Sequence, residues 1–410
     1  MSKLDELIAN LCPDGVDYIP LKGVCGISKG VQFNKSNMND EGTYPVINGG
    51  INPSGYIEQY NQDENTITIS QGGASAGYVN WMSQKFWAGA HCYVLKPYSN
   101  LDNRYLFHFI KGKEYKLQEC QYGAGIPALG KATLEELRIP VPPLEVQREI
   151  VRVLDNFTFL SAELSAELSA RRKQYEYYRN QLLSFDTKVR RIPMGDLFDF
   201  KNGLSKGKEF FGRGTPFIRY TDVYNNRALK KEKIEALVEC TSDELKKLKV
   251  SRGDVLFTRT SETAEDVGWS SVMLDNMENC VFNGFTIKAS PKTDLLWPEY
   301  CAYCFATDDF RSYVTKRCAF TTRASLTGST IADYKLAVPS IAVQKRIADV
   351  LGNFETICND IGIGLPAEIE ARQKQYEYYR ELLLTFVETG STIADRQTDR
   401  QTDRQTDRLK

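Results

Sequence analysis

The heptapeptide KQYEYYR occurs twice in the chain, at Lys173–Arg179 and at Lys374–Arg380, an offset of 201 residues (374 − 173). The segments that precede the two copies also match. IPVPPLEVQREIVRVLDNF precedes the first copy and LAVPSIAVQKRIADVLGNF the second, and they align Gln147 with Gln344. A repeat of this length decides the architecture before any single motif does. We predict a unit of one globular domain followed by one long helix, repeated once along the chain.

Each copy of the repeat carries the pattern of a long helix. Apolar and aromatic residues recur at steps of three and four between Ile150 and Phe185, which predicts a coiled-coil seam. The seam positions that we expect to face a partner helix or a partner subunit are Leu160, Leu164, Leu168, Tyr175 and Tyr178 in the first copy and Tyr376 and Tyr379 in the second. Pro366 interrupts the second copy and predicts a kink or a break there. We expect the helices to pair as an antiparallel coiled coil, although an aromatic stripe is also typical of plain core packing.

Short alternating apolar segments bounded by Gly and Pro predict strands in each globular part, for example NTITIS, CYVLKP, DVLFTR and GFTIKA. We therefore predict an α+β fold with a pseudo-two-fold internal repeat, in which two mixed α/β domains alternate with two long helices. The expected boundaries are 1–142 and 187–339 for the globular domains, 143–186 and 340–388 for the helices, and 389–410 for a low-complexity tail. The tail contains DRQTDRQTDRQTDR, which has no apolar residue, and we expect it to be disordered.

The composition excludes several classes of protein. The 410 residues contain no apolar run long enough to span a bilayer and no secretory signal, so we expect a cytoplasmic protein without a membrane segment. The ten cysteines follow no framework spacing, and the one CxxC pair, Cys301 and Cys304, has no second pair to complete a zinc site. We interpret most of the cysteines as buried packing residues and expect no metal site.

The charge of the whole chain does not indicate its partner. A formal net charge of −1 means that any nucleic-acid contact must be argued from local patches. Between Lys201 and Lys233 the sequence has nine basic residues and three acidic residues. A solvated surface explains this stretch as well as a nucleic-acid contact does.

Three features together resemble one protein family: the two V-P-x-x-x-x-Q segments at Val141–Gln147 and Val338–Gln344, the two KQYEYYR copies, and the tandem SAELSAEL at Ser161–Leu168. Together they resemble the specificity subunit of type I restriction-modification enzymes, over roughly residues 1–388. The resemblance implies a non-catalytic, DNA-binding subunit with two target recognition domains. Each domain would recognise one half of a bipartite, asymmetric site in double-stranded DNA.

The resemblance also implies partners and cofactors outside this chain. The paired helices would space the recognition domains and dock two modification subunits, which bind S-adenosylmethionine and methylate adenine. Restriction subunits that use ATP and magnesium would join that core. The sequence has no Gly-rich cofactor loop following a predicted strand, and we expect no cofactor in this chain.

DNA recognition needs cations and amides that hold phosphates, and side chains that meet base edges in the major groove. In the first domain, where the charge balance is slightly acidic, we expect contacts from Gln32, Asn34, Asn48, Gln71 and Lys85. In the second domain we expect contacts from Lys206, Lys208, Arg219, Arg259, Lys316, Arg317 and Arg323. A solvated loop explains each of these residues nearly as well.

The SAEL tandem breaks the heptad with two four-residue steps, which is a stutter. One unit adds about 6 Å of helical rise and a net rotation of about 40°. One base pair of B-DNA advances about 3.4 Å and turns about 35°. We predict that the number of SAEL units sets the separation of the two half-sites. A neutral surface repeat in a helix that tolerates changes of length is the alternative.

Two other functions remain open on the sequence. One is a nuclease or methyltransferase that acts alone, which purified chain with S-adenosylmethionine and magnesium would reveal. The other is a coiled-coil adaptor that binds only protein. The absence of specific DNA retention, even with modification subunits present, would favour the adaptor.

Overall fold

The computed structural model describes residues 2–39, 41–121, 127–359 and 364–389. The chain divides into two compact units. Unit 1 comprises the chain up to Ser165 and from Glu368 onward, and unit 2 comprises Ala166–Ala367. The boundary after Ser165 lies inside the SAELSAEL tandem. The DRQT repeats of the tail lie outside the described residues, and the five-part division of the sequence stays a prediction.

The first part of the chain contains short helices and short strands. The helices are α1 Lys3–Leu11, α2 Asn103–Gly112, α3 Glu114–Glu119 and α4 Lys131–Glu135. The strands are β1 Tyr18–Pro20, β2 Cys25–Lys29, β3 Tyr44–Ile47, β4 Tyr56–Ile57, β5 Thr66–Ser70, β6 Val79–Met82, β7 Trp87–Ala88, β8 Cys92–Pro97 and β9 Arg138–Pro140. A helix of 40 residues, α5 Leu144–Leu183, follows.

The part of the chain after α5 contains further short helices and strands and ends in two longer helices. The helices are α6 Met194–Leu197, α7 Tyr220–Asn225, α8 Ser242–Leu248, α9 Pro298–Cys304, α10 Asp308–Arg317, α11 Gly328–Ala332, α12 Ile341–Asn359 and α13 Leu365–Leu384. The strands are β10 Arg191–Pro193, β11 Phe198–Asn202, β12 Phe211–Ile218, β13 Ala228–Leu229, β14 Leu237–Val238, β15 Val255–Thr258, β16 Thr260–Ser261, β17 Ser270–Met273, β18 Val281–Phe282, β19 Thr286–Pro291, β20 Ala319–Phe320, β21 Ala324–Ser325 and β22 Lys335–Ala337.

The sheets of the two units share one topology. Unit 1 has sheets in the orders β2-β8-β5-β6, β4-β3-β7 and β1-β9, and unit 2 has the matching orders β11-β19-β15-β17, β14-β12-β18 and β10-β22. Unit 2 extends the first of these by β13 and adds a small sheet, β16-β21-β20. The predicted duplication and the α+β class are confirmed.

Buried β-branched residues explain the central strands. Every residue of β5, with the sequence TITIS, is buried, and so is every residue of VLFT in β15. Side chains of this type pack well on both faces of a covered sheet. The four segments predicted as strands, NTITIS, CYVLKP, DVLFTR and GFTIKA, correspond to β5, β8, β15 and β19.

The second copy of the long helix is divided in two. The helix α12 ends at Asn359, and α13 begins at Leu365 with Pro366 as its second residue. Proline is tolerated in the first turn of a helix because the N–H it lacks would have no partner there. Among the described residues, no helix combines the length and the apolar composition that crossing a bilayer requires.

Candidate nucleic-acid interface

The loops at one edge of unit 1 are joined by four backbone hydrogen bonds. In each bond an N–H donates to a carbonyl, and the pairs are Val31 with Ala88 (2.8 Å), Gly89 with Ile47 (2.9 Å), Gln71 with His91 (2.9 Å) and Leu129 with Gln71 (2.7 Å). We call Asn48, Gln71 and His91 the loop edge of unit 1. It lies where β3 and β5 end and where β8 begins.

Unit 2 has the same four hydrogen bonds at the matched positions. The pairs are Leu204 with Phe282 (2.8 Å), Asn283 with Ile218 (3.0 Å), Arg259 with Phe285 (2.8 Å) and Leu326 with Arg259 (2.9 Å). Arg219, Arg259 and Phe285 therefore form the loop edge of unit 2. Because backbone groups make these bonds, the side chains at the edge can differ while the loops keep their places.

The first unit brings together some of its five predicted residues. Asn48 and Gln71 lie at the loop edge, where the Asn48 Oδ1 accepts a hydrogen bond of 3.4 Å from the His91 N–H. Gln32 and Asn34 are exposed in the loop that follows β2. A Cβ at position 89 would approach the Asn48 amide too closely, so Gly89 makes room for it.

Lys85 does not belong to this group. Lys85 lies before β7, whereas His91 of the loop edge lies after that strand. The Lys85 Nζ is 3.1 Å from the Tyr60 hydroxyl and 3.9 Å from an oxygen of Asp63. The hydrogen bond to Tyr60 raises the pKa of Lys85. This lysine is already partnered within its own unit.

In unit 2, Arg219 is held by an internal carboxylate. Its Nη2 and Nε donate to the Asp222 Oδ1 at 2.7 and 3.1 Å, and Asp222 is buried. The hydrogen bond to Asp222 raises the pKa of Arg219. Lys206 is likewise paired with Glu244 at 2.8 Å. Both cations are fixed in place, and much of their hydrogen-bonding capacity is used internally.

Arg259 differs from these two residues. It is half-buried, and within the described ranges neither an acidic side chain nor any other hydrogen-bonding group contacts its guanidinium. Gln71, at the matched position of unit 1, is also half-buried, and its amide has no partner in the described part of the chain. The matched pair therefore presents two side chains with unused donors or acceptors.

The remaining basic candidates of unit 2 are spread over several elements. Lys208 begins a short 3-10 helix and is exposed. Lys316 and Arg317 lie in the last turn of α10, where the Arg317 guanidinium is 4.3 Å from the Tyr313 ring centre. Arg323 connects β20 to β21 and is 3.8 Å from an oxygen of Glu262. Since β21 pairs with β16, which directly follows Arg259, only Arg323 is tied closely to the loop edge.

The basic stretch 201–233 is divided by the fold. The strand β13 runs parallel to β17 and β15 runs antiparallel to it, with Leu229 level with Met273. Lys230, Lys231 and Lys233 therefore lie near the start of β15, away from its end at Arg259. The count of basic residues over 201–233 therefore combined side chains from two separate surfaces.

Sequence reasoning missed His91 and Phe285. Both side chains are exposed, and Phe285 has 58% of its surface accessible. Their offset (285 − 91, or 194) differs from that of Gln71 and Arg259 (259 − 71, or 188), because the insertions in the two domains differ. The shared hydrogen bonds and the registers of the paired strands align them.

The three tyrosines of each KQYEYYR copy have three different environments. In unit 1, Tyr376 is buried with its hydroxyl 2.8 Å from the His108 Nδ1, and Tyr379 stacks on Phe157 at 5.2 Å between ring centres. The third, Tyr378, is 64% exposed. One tyrosine of this copy thus belongs to the core, one to a helix contact and one to the surface.

Unit 2 repeats this division. Tyr175 packs against the core, and burial raises its pKa. The Tyr178 ring lies 5.7 Å from that of Phe354, which is the match of Phe157, while Tyr177 is 60% exposed. Leu160, Leu164 and Leu168 of the tandem region are not buried.

The described residues form no group of three or more His, Cys, Asp or Glu side chains that could hold a metal ion. Cys301 and Cys304 are buried on α9, and burial raises the pKa of Cys301 to about 12. Both thiols pack in the core of unit 2.

Residues 13–171 and 187–371 match the model of the type I restriction modification DNA specificity domain. The chain belongs to this family. A Haemophilus influenzae protein described as a type I restriction enzyme specificity subunit is 30% identical over 402 residues, covering 90% of this chain and 96% of the relative. The specificity subunit of an Escherichia coli type I restriction enzyme is 33% identical over 267 residues, covering 61% and 63%.

Solved structures show the same fold. The S subunit of a type I restriction-modification system from Mycoplasma genitalium aligns with a TM-score of 0.53 at 18% identity, covering 90% of this chain and 96% of that one. A chain from a structure of the type I R-M system aligns with a TM-score of 0.61 at 15% identity, covering 91% and 98%. The chain is thus a specificity subunit with two DNA specificity domains. Each matched segment contains one loop edge.

Proposed function

We propose that the two loop edges recognise the two halves of a bipartite, asymmetric site in double-stranded DNA. The observation that carries this proposal is the set of four backbone hydrogen bonds that recurs in both units. It places Asn48 and Gln71 in one unit where Arg219 and Arg259 stand in the other. The same loops with different side chains would recognise different bases, so the two half-sites differ in sequence.

The geometry suits base recognition in the major groove. Specific contacts require donors and acceptors in fixed positions. Gln71 and Arg259 each donate and accept a backbone hydrogen bond, so their Cα positions are determined from two sides. Exposed basic side chains such as Lys316 and Arg317 would hold phosphates without reading sequence.

The long helices space the two domains as an antiparallel coiled coil and dock two modification subunits. In support, each unit contains one contact between a Phe of one helix copy and a Tyr of the other, Phe157 with Tyr379 and Tyr178 with Phe354. Each unit also exposes one tyrosine of the heptapeptide, Tyr177 or Tyr378. Two matched exposed surfaces fit two copies of one partner.

The chemistry belongs to the partners in this proposal. Modification subunits bind S-adenosylmethionine and methylate adenine, and restriction subunits use ATP and magnesium. The assembly is cytoplasmic. This chain determines which DNA sequence the assembly recognises.

Methylation mapping tests DNA recognition. The chain is co-expressed with its modification subunit in a host without other methyltransferases, and modified adenines are mapped across the genome. We expect one motif with two unequal halves separated by a fixed, unread spacer. A complex that forms but methylates no specific motif would contradict DNA recognition and favour the adaptor. Methylation or cleavage by the purified chain alone would establish the enzyme alternative.

Native mass spectrometry tests the docking surfaces. Tyr177→Ala and Tyr378→Ala should each weaken one of two bound modification subunits, and the double variant should weaken both. Tyr98→Ala, which alters an exposed tyrosine outside the helices, serves as the matched control. We also expect the isolated chain to be poorly soluble, because these aromatic surfaces stay uncovered. Binding of two modification subunits by the double variant at unchanged affinity would exclude these surfaces.

A further inference from the structure

We infer that Gln71 and Arg259 are the matched base-contacting residues of the two domains, and that they give the half-sites different compositions. Gln71 would contact an adenine in the half-site of unit 1. Arg259 would contact a guanine in the half-site of unit 2. This inference rests on the proposed function and deepens it.

The first argument is position. Gln71 follows the last residue of β5, and Arg259 follows the last residue of β15. The backbone N–H of each donates to the carbonyl of the residue before the next paired strand, His91 before β8 (2.9 Å) or Phe285 before β19 (2.8 Å). The backbone carbonyl of each accepts from the N–H of Leu129 (2.7 Å) or of Leu326 (2.9 Å). Both residues therefore leave a buried central strand in the same way. A side chain on such a base needs little further ordering to make a directed contact.

The second argument is that the turn after each residue is held. Gly77 and Gly268, with φ of +87° and +74°, each donate at 2.9 Å to the last residue of the central strand. In unit 1 the Gln121 amide then donates to the Ala76 carbonyl at 2.7 Å. Both loops are closed by the same type of bond.

Unit 2 holds its turn through a cation. The Arg311 guanidinium donates to the carbonyls of Glu265 and Val267 at 2.7 and 2.8 Å, and it lies 4.4 Å from the Trp269 ring centre. Arg311 therefore has a structural role. The nearby Arg259 has no such internal task.

The third argument is the unused capacity of the side chains. At the neighbouring edge position, the Asn48 oxygen accepts from His91, and Arg219 spends its Nε and Nη2 on Asp222. The amide of Gln71 and the guanidinium of Arg259 have no partner within the ranges that the structure describes. Neither side chain has a buried polar atom without a partner, so the Gln71 amide and the Arg259 guanidinium reach the surface and are accessible to a ligand. Asn48 and Arg219 thus hold the edge, whereas Gln71 and Arg259 are free to bind.

The chemistry of the two side chains assigns the bases. A carboxamide presents one donor and one acceptor, which match N7 and N6 of adenine. A guanidinium presents parallel donors, which match O6 and N7 of guanine. The exposed rings of His91 and Phe285 lie beside these residues and can contact the neighbouring sugar or a thymine methyl group.

The test uses the complex with modification subunits and a panel of duplexes that changes every base pair of the mapped motif, one at a time. Relative kcat/KM for methylation is measured for wild type, Arg259→Gln, Arg259→Lys and Gln71→Ala. For Arg259→Gln we expect discrimination at one G·C pair of one half-site to fall by roughly 5- to 150-fold, with other positions unchanged. Arg259→Lys should lose this discrimination as well, because lysine keeps the charge but not the planar fork. Gln71→Ala should act at one A·T pair of the other half-site.

Arg317→Gln is the matched control, because it makes the same change of charge at an exposed position on α10. It should weaken all duplexes uniformly and leave every preference intact. Thermal unfolding of each variant excludes a folding defect, and Arg259→Lys keeps the test valid if the glutamine variant is unstable.

Two results would overturn the inference while leaving the proposed function intact. One is a bipartite wild-type motif whose discrimination survives in both Arg259 variants. The other is a loss that falls on the same half-site for Arg259 and Gln71. A wild-type complex without any sequence preference would overturn the proposed function itself, and this inference with it.

Discussion

Unit 1 and unit 2 share the backbone of the loop edge but not its chemistry. The four hydrogen bonds agree in pattern and in length, between 2.7 and 3.0 Å. The side chains that they position change from neutral amides at Asn48 and Gln71 to guanidinium groups at Arg219 and Arg259. In this protein the backbone arrangement of the loop edge and the side chains that it carries are separate properties.

The shared construction extends into the interior. Gln147 and Gln344, the glutamines of the two V-P-x-x-x-x-Q segments, are both fully buried. Each accepts a bond from the backbone N–H before a short helix, at 2.7 and 2.8 Å, and each donates to two carbonyls. The repeated glutamine therefore anchors each long helix to its own domain.

Elsewhere the interiors diverge. In unit 1, His108 lies 2.8 Å from both Asp155 and the Tyr376 hydroxyl. The matched positions in unit 2 are Tyr303 and Gly352, and a Cβ at Gly352 would lie 3.2 Å from the Tyr303 hydroxyl. In unit 2 the larger Tyr303 ring therefore occupies the space that the Asp155 carboxylate takes in unit 1. The short helix thus contacts the long helix through a hydrogen bond to a carboxylate in unit 1 and through close packing in unit 2.

The largest expected effect concerns the connection of the units rather than either unit. Deleting one SAEL unit from Ser161–Leu168 should shift the spacer between the half-sites by about one base pair, because the helix loses about 6 Å and 40°. Methylation at the original motif should be lost and should appear at a motif of altered spacing with both half-sites unchanged. Methylation mapping decides this. An unchanged spacer, or altered half-site bases, would show that α5 is not the ruler.

A buried ion pair of unit 2 provides the next test. Lys288 and Asp254 are both buried, with Nζ 3.2 Å from a carboxylate oxygen, while the matched residues of unit 1 are Val94 and Thr66. Asp254→Thr leaves a buried ammonium without its counter-charge and should lower the free energy of unfolding of unit 2 by about 3–5 kcal/mol. The double variant with Lys288→Val, which installs the unit 1 residues, should cost less than the sum of the single changes.

Urea unfolding followed by hydrogen exchange in β15 and β19 measures these costs. Glu262→Thr, which breaks the exposed pair with Arg323, is the control and should change stability by about 1 kcal/mol or less. Additive costs for Asp254→Thr and Lys288→Val would mean that the pair is not coupled.

The histidine of unit 1 predicts a pH dependence that unit 2 lacks. Burial lowers the pKa of His108 below its ordinary value of 6.5, against the opposing effect of Asp155; Arg104, Arg380 and Tyr376 also face the ring. The folded state therefore binds the proton less readily than the unfolded state. The contribution of neutral His108 to the free energy of unfolding should be complete above about pH 6.5. It should fall as the pH drops towards the pKa of the folded state, by at most about 1.4 kcal/mol per pH unit.

Hydrogen exchange of α2 and α9 between pH 7.5 and 5.5 compares the two units directly, after correction for intrinsic exchange rates. Protection should fall in α2 and not in α9. The variant His108→Tyr with Asp155→Gly, which installs the unit 2 pair, should remove the difference. The same pH dependence in both helices would assign the effect to another group.

The smallest effect is expected for the tail. Removing residues 390–410 should leave both the methylation motif and the unfolding free energy unchanged, because the contacts of Phe386 with Tyr18 and of Glu388 with Arg138 precede the cut. Truncation after Leu384 removes those contacts and should destabilise unit 1. A motif altered by the shorter deletion would contradict this expectation.

The DRQT repeat also makes a prediction about the gene. The tetranucleotide GACA, repeated, encodes Asp-Arg-Gln-Thr, so a slippery tract could vary the frame. Sequencing the tract settles the point, since mixed synonymous codons there would exclude it.

The sequence by itself determined the duplication, the long helix α5, the buried strands and the family. These follow from periodicity and from repeated segments, which are local in the chain. Four of the six loop-edge residues are among those that the sequence predicts to contact DNA, because amides and arginines near turns are side chains that DNA recognition uses. Their contact with DNA stays a prediction.

Only the tertiary structure decided which candidates share an edge and which are already engaged. Arg219 and Arg259 look alike in sequence, yet one is held by Asp222 and the other has no partner among the described residues. Tyr376 meets His108, 268 residues away. Such pairings depend on how distant segments pack, and insertions of unequal length between the matched residues conceal the correspondence until backbone hydrogen bonds reveal it.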